Sequence, residues 1–73
     1  LEVLGQNHEI YQVYADNIRE EYTRYPDFLY NSGRKKVLHH FLEVDSIFKT
    51  EHFSNKYEKQ ARINIQAELM TIQ

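Results

Sequence analysis

The sequence contains no cysteine, so no disulfide can staple it and thiolate metal sites are excluded. That absence fits a reducing compartment, and a cytoplasmic location is the expectation it supports. There are one proline and two glycines in 73 residues, so little interrupts regular structure. No apolar run approaches the roughly 18–20 residues a membrane span needs, and no basic-then-apolar secretory leader is visible. Neither charge sign dominates: 9 Lys+Arg face 11 Asp+Glu, interspersed, for a net charge of −2. A phosphate-backbone binder usually shows a basic patch or stripe, so nucleic acid is not an expected partner, and neither is a membrane. Catalytic grammar is missing as well. There is no Gly-rich phosphate loop, no helical H-E-x-x-H and no Cys nucleophile, and Ser32, Ser46 and Ser54 lack a persuasive base and orienter.

What is present is aromatic and helical. Six Tyr and four Phe are many for this length, and such large semi-polar core fillers argue against disorder. The length fits one domain at most. A single core below roughly 70–80 residues rarely supplies more than about 3–5 kcal/mol without staples. Asn7 is a good N-cap, followed at helical spacing by Ile10, Tyr11, Tyr14, Ala15, Ile18, Tyr22 and Tyr25. Pro26 cannot continue that helix but suits the start of the next. The second apolar stripe is Tyr30, Val37, Leu38, Phe41 and Leu42. A short connector, Asp45 to Thr50, should tuck Ile47 and Phe48 inward. Thr50 or Asn55 then caps a third helix whose stripe is Phe53, Tyr57, Ala61, Ile65, Leu69 and Ile72. No window alternates with period two. The expectation is an all-α fold, a three-helix antiparallel bundle over about 7–25, 26–44 and 51–70. The opening, Leu1 to Gly5, reads as the last turn of a truncated preceding helix closed by a C′ glycine.

The informative positions are polar residues inside or beside those stripes. Arg34 projects between Val37 and Phe41, and Gly33 beside it costs about 1 kcal/mol relative to Ala in a helix interior. That cost points to the close approach of another helix or a ligand. Glu58 and Asn64 lie at the edges of the third stripe and Glu68 lies within it, while Arg19 and Glu21 flank the first. Buried charges must be paired or serve a ligand. Two readings follow. Either Arg34 and Arg19 pair with Glu58 or Glu68 as interhelical ties, or they point into a cleft and hold an anionic group such as a phosphate; a different helix phase would leave them in solvent. His39 and His40 differ by about 100° around a helix and cannot chelate one ion. His39 and Glu43 have i, i+4 spacing, but both lie on the polar face without a third ligand nearby. His8 and His52 lack partners at ligand spacing.

Four stretches, "YADNIREEY" (Tyr14 to Tyr22), "GRKKVLHHFL" (Gly33 to Leu42), "IFKTEHF" (Ile47 to Phe53) and "YEKQARINIQAEL" (Tyr57 to Leu69), follow one another in a distinctive order. Their order and spacing resemble the C-terminal part of a family of predicted metal-dependent phosphohydrolases of the HD superfamily. The opening "LEVLG" resembles the family's segment in which the last metal-binding Asp stands just upstream of an "ILG"-like turn. The resemblance spans nearly the whole chain and implies part of a larger HD-type helical domain. It also implies a divalent metal, held in that family by a His, a His-Asp doublet and a later Asp. Here the only doublet is His39-His40, in the wrong motif, so the resemblance puts the metal ligands N-terminal to Leu1. By the same resemblance Arg19, Tyr22, Gly33, Arg34, Glu58, Arg62 and Asn64 occupy motif positions.

The functional expectation is a segment that is inert alone and completes a phosphohydrolase. Its partner would be the N-terminal portion of the same protein or a second copy, and its substrate a phosphate-containing small molecule. Two other classes stand beside it. One is a free-standing interaction module that binds a partner helix in a Tyr-rich groove, and the other is a self-associating structural bundle. Arg34 separates them: pairing with Glu58 or Glu68 makes it structural, whereas an unpaired guanidinium in a cleft would contact substrate.

Overall fold

A computed structural model describes residues 2–72. They form a short 3-10 turn, η1 (Glu2–Gly5), and three α-helices: α1 (His8–Glu21), α2 (Asp27–Glu43) and α3 (Glu51–Thr71). There is no strand among the described residues. Among the described residues, no helix is long and apolar enough to cross a membrane. The fold is the expected all-α three-helix bundle. Side-chain pairs give the directions. Arg34 of α2 meets Glu68 of α3 while Arg62 of α3 reaches Leu42 O at the other end, so these two helices are antiparallel. His8 meets Asn64 and Tyr11 meets Glu68, so α1 and α3 run parallel.

The helix starts follow from capping chemistry. Asn7 Oδ1 accepts from Ile10 N at 3.0 Å, and Thr50 Oγ1 accepts from Phe53 N at 3.2 Å. Each satisfies one of the amides that a helix N-terminus leaves without a partner. Pro26 caps α2 without a side-chain bond, its carbonyl accepting from Leu29 N and Tyr30 N. The first helix ends four residues earlier than the spacing predicts, at Glu21 instead of residue 25. Two forces explain this. The residue before proline avoids the helical region. In addition, Pro26 has no N–H to offer Tyr22 O, and Arg19 donates to Tyr22 O at 2.9 Å and Tyr25 O at 3.2 Å, satisfying carbonyls beyond the helix end.

The core lies between α1, α3 and η1, with Leu4, Tyr11, Ala15, Phe48, Tyr57 and Ala61 as its continuous buried cluster. Leu38 and Ile65 are also fully buried. The connector does tuck inward: Phe48 is buried, and its ring lies 5.7 Å from that of Tyr57. The expectation for Gly5 requires correction. No glycine has a positive φ, so Gly5 is not a left-handed C′ residue. It is needed for contact instead. A Cβ placed on it would lie 2.3 Å from Tyr57 Cβ and 2.7 Å from Tyr57 O. The η1 backbone therefore presses directly on α3 and drives Leu4 into the centre. Burying such a side chain contributes about 1.5–3 kcal/mol.

Candidate functional site

A groove of about 480 Å3 lies between the end of α1 and the first half of α2. Its walls are Ile18, Tyr22, Tyr25, Leu29, Tyr30 and Val37, with Glu21 at the margin and Arg34 beneath. It exists because α1 stops early and the chain turns away before α2 begins. Tyr22, Tyr25 and Val37, all placed in apolar stripes by their spacing, consequently remain about half exposed, at 47%, 50% and 46%. Gly33 also lines this groove, and a Cβ on it would meet nothing within 4 Å. The expected close approach of a neighbouring helix at Gly33 is absent: the position opens into the groove.

Arg34 is not free in the groove. Its Nε donates to Glu68 Oε2 at 2.6 Å and its Nη2 to Glu68 Oε1 at 2.9 Å. Tyr11 donates its hydroxyl to the same carboxylate. The pair is nearly sealed, with side chains 6% and 8% exposed. Such a bidentate contact fixes geometry as well as charge. The guanidinium also lies 5.5 Å from the Tyr14 ring centroid. Burial alone would lower the Arg34 pKa, but the Glu68 contact overrides it and raises it above the usual value. Burial raises the Tyr11 pKa well above the usual phenol range, and the bond to Glu68 raises it further. Of the two readings for Arg34, the geometry is that of an interhelical tie.

The other motif residues are engaged too. Arg19 forms an ion pair with Asp27 at 2.7 Å and stacks over Tyr30, 4.5 Å from its centroid. It therefore ties the α1–α2 turn, and it meets neither Glu58 nor Glu68. Glu58 likewise pairs with neither Arg34 nor Arg19. Its carboxylate accepts from Ile47 N at 3.0 Å, Phe48 N at 3.3 Å and Arg62 Nε at 2.9 Å. Burial would raise the Glu58 pKa, but those two backbone donors and Arg62 outweigh it and lower the value. Arg62 then reaches Leu42 O at 3.1 Å and Val44 O at 2.8 Å, closing the end of α2 onto α3.

Asn64 is fully buried, deeper than its place at the stripe edge implied. Its Nδ2 donates to Leu4 O at 3.0 Å and Gln6 O at 2.8 Å. Its Oδ1 is thereby left as the acceptor, taking Gln60 Nε2 at 2.9 Å and His8 Nδ1 at 3.3 Å. That orientation requires a proton on His8 Nδ1. No buried side-chain nitrogen or oxygen among the described residues lacks a partner.

Three participants were not singled out as site residues in the sequence. Tyr11 was placed in the apolar stripe, where its hydroxyl gives no signal. Asp27 and Gln60 lie outside the apolar stripes, where nothing singled them out. Only the i, i+4 spacing of Gln60 to Asn64 and of Glu58 to Arg62 could have indicated those pairs.

Among the described residues, no group of three or more His, Asp or Glu side chains converges as a metal site would require. No family model, curated protein or solved structure matches the chain.

Proposed function

We propose that the chain is the C-terminal helical part of a metal-dependent phosphohydrolase of the HD superfamily, acting as scaffold and not as ligand donor. The observation that carries this reading is the fixing of η1. Leu4 is fully buried, Gly5 presses on Tyr57, and Asn64 holds the carbonyls of Leu4 and Gln6. In the resembled family the last metal-binding Asp stands just before this turn. A ligand there would be led off from a rigid base, and positioned ligands need such support. The ordered motifs supply the second support. Their polar members Arg19, Arg34, Glu58, Arg62 and Asn64 are spent on ties between elements, which suits a part that closes a larger domain. A divalent metal would be supplied with ligands by residues outside this chain.

The test begins with the reading frame that encodes the chain. The proposal expects an Asp a few residues before Leu1 and, further upstream, a His and a His-Asp doublet. The protein expressed from that frame should hydrolyse bis(p-nitrophenyl) phosphate, lose activity with EDTA and regain it with a divalent metal. A frame without those residues, or a protein without metal-dependent hydrolysis, overturns the proposal. The open groove favours a second reading, a helical interaction module, which would then take its place.

A further inference from the structure

We infer that the tyrosine-lined groove at the end of α1 is a binding site for a small organic cation of the quaternary or alkylated ammonium class. Three rings converge there. Tyr22 lies 6.0 Å from Tyr25 and 6.4 Å from Tyr30, both at tilted angles, so their faces are not stacked against one another. Tyr22 and Tyr25 are half exposed in the groove wall. The negative faces of such rings attract a cation, and a cage of them suits an ammonium wrapped in methyl groups.

Charge points the same way. The two arginines beside the rings are both neutralised, Arg34 by Glu68 and Arg19 by Asp27. Glu21 also lines the groove and is exposed, and its carboxylate has no ion pair or hydrogen bond among the described residues. The site therefore carries one uncompensated negative charge beside apolar walls. Arg19, which does not line the groove, already rests a guanidinium 4.5 Å from the Tyr30 centroid. Tyr30 is thus partly engaged, and Tyr22 and Tyr25 are the exposed rings left in the groove wall. Gly33 keeps the adjoining wall open, because it has no side chain to fill the space. The volume, about 480 Å3, lies within the range of small-molecule sites, which suits a free small molecule as the occupant. This inference does not depend on the phosphohydrolase reading, and either can fail alone.

The test is a proton NMR titration of the 73-residue chain with choline and, in parallel, with its neutral isostere 3,3-dimethyl-1-butanol. Choline should give saturable shifts of the Tyr22 and Tyr25 ring resonances and bind about fivefold tighter than the isostere. Glu21→Gln and Tyr22→Leu should each weaken choline about three- to fivefold and leave the isostere unchanged. Both replace exposed side chains, and circular dichroism checks that the helices persist. Equal binding of choline and the isostere overturns the inference. So does the absence of a saturable shift, or a response mapping to other residues. Shifts that follow protein concentration instead of choline would place a second copy in the groove and overturn it as well.

Discussion

Glu68→Leu should nearly unfold the chain, and the size of the effect can be worked from the contacts. Glu68 accepts both Arg34 bonds, at 2.6 and 2.9 Å, and the Tyr11 hydroxyl, with less than a tenth of either charged side chain exposed. Removing the carboxylate leaves a buried guanidinium uncompensated, which costs about 3–5 kcal/mol. The orphaned Tyr11 hydroxyl adds about 1–3 kcal/mol. A core of this size without staples supplies about 3–5 kcal/mol of stability in all. Urea unfolding followed by far-UV circular dichroism should therefore show the transition lost or displaced almost to zero denaturant. The triple variant Arg34→Met, Glu68→Leu, Tyr11→Phe removes both the charges and the hydroxyl. It should return to within about 1 kcal/mol of the parent or exceed it, because apolar replacements of buried ion pairs are often neutral or stabilising. A loss below about 1 kcal/mol in Glu68→Leu would refute the reasoning. So would a triple variant no more stable than the single one.

The two glycines should respond in opposite directions. Gly33→Ala meets open space and should stabilise the chain by about 0.5–1 kcal/mol in the same urea assay, whereas Gly5→Ala forces η1 off Tyr57 and should cost about 1–3 kcal/mol or more. Glu58 has a folded-state pKa below its unfolded one, so it contributes stability above the ordinary carboxylate value that is lost as pH falls through the depressed folded value. Glu58→Gln should accordingly cost about 1–3 kcal/mol at neutral pH and flatten the acid limb of a stability profile. Tyr11 is raised by burial and by Glu68, so its contribution is complete below the ordinary phenol value of 10.0 and is lost as pH rises beyond it. An ultraviolet titration should therefore find one phenol ionising only as the helices melt, and Tyr11→Phe should abolish that late step.

Much of the architecture was legible because punctuation and periodicity agree. Asn7, Pro26 and Thr50 mark the three helix starts, and α3 spans nearly the range its stripe implies. The early end of α1 was not legible, because Tyr22 and Tyr25 continue the apolar spacing after the helix has stopped. Beyond that end Pro26 forbids a continuing helix and Arg19 bonds to their carbonyls, a contact that depends on where the chain turns. The polar ties were legible as a problem and not as a solution. Arg34 inside a stripe demanded a partner, and spacing offered Glu58 and Glu68 without choosing. The choice lies in the relative rotation of α2 and α3. Gly5 shows the same limit, since periodicity cannot distinguish a glycine kept for its backbone angle from one kept for contact.

The claim on which the account rests is that Asn64 clamps η1 against α3. Hydrogen exchange of the Asn64 side-chain amide, read by nitrogen-edited NMR, tests it most directly. Its protons should exchange far more slowly than those of an exposed amide, with Overhauser contacts to Leu4 and Gln6. Exchange at the free-amide rate, with no contact to either residue, would contradict it.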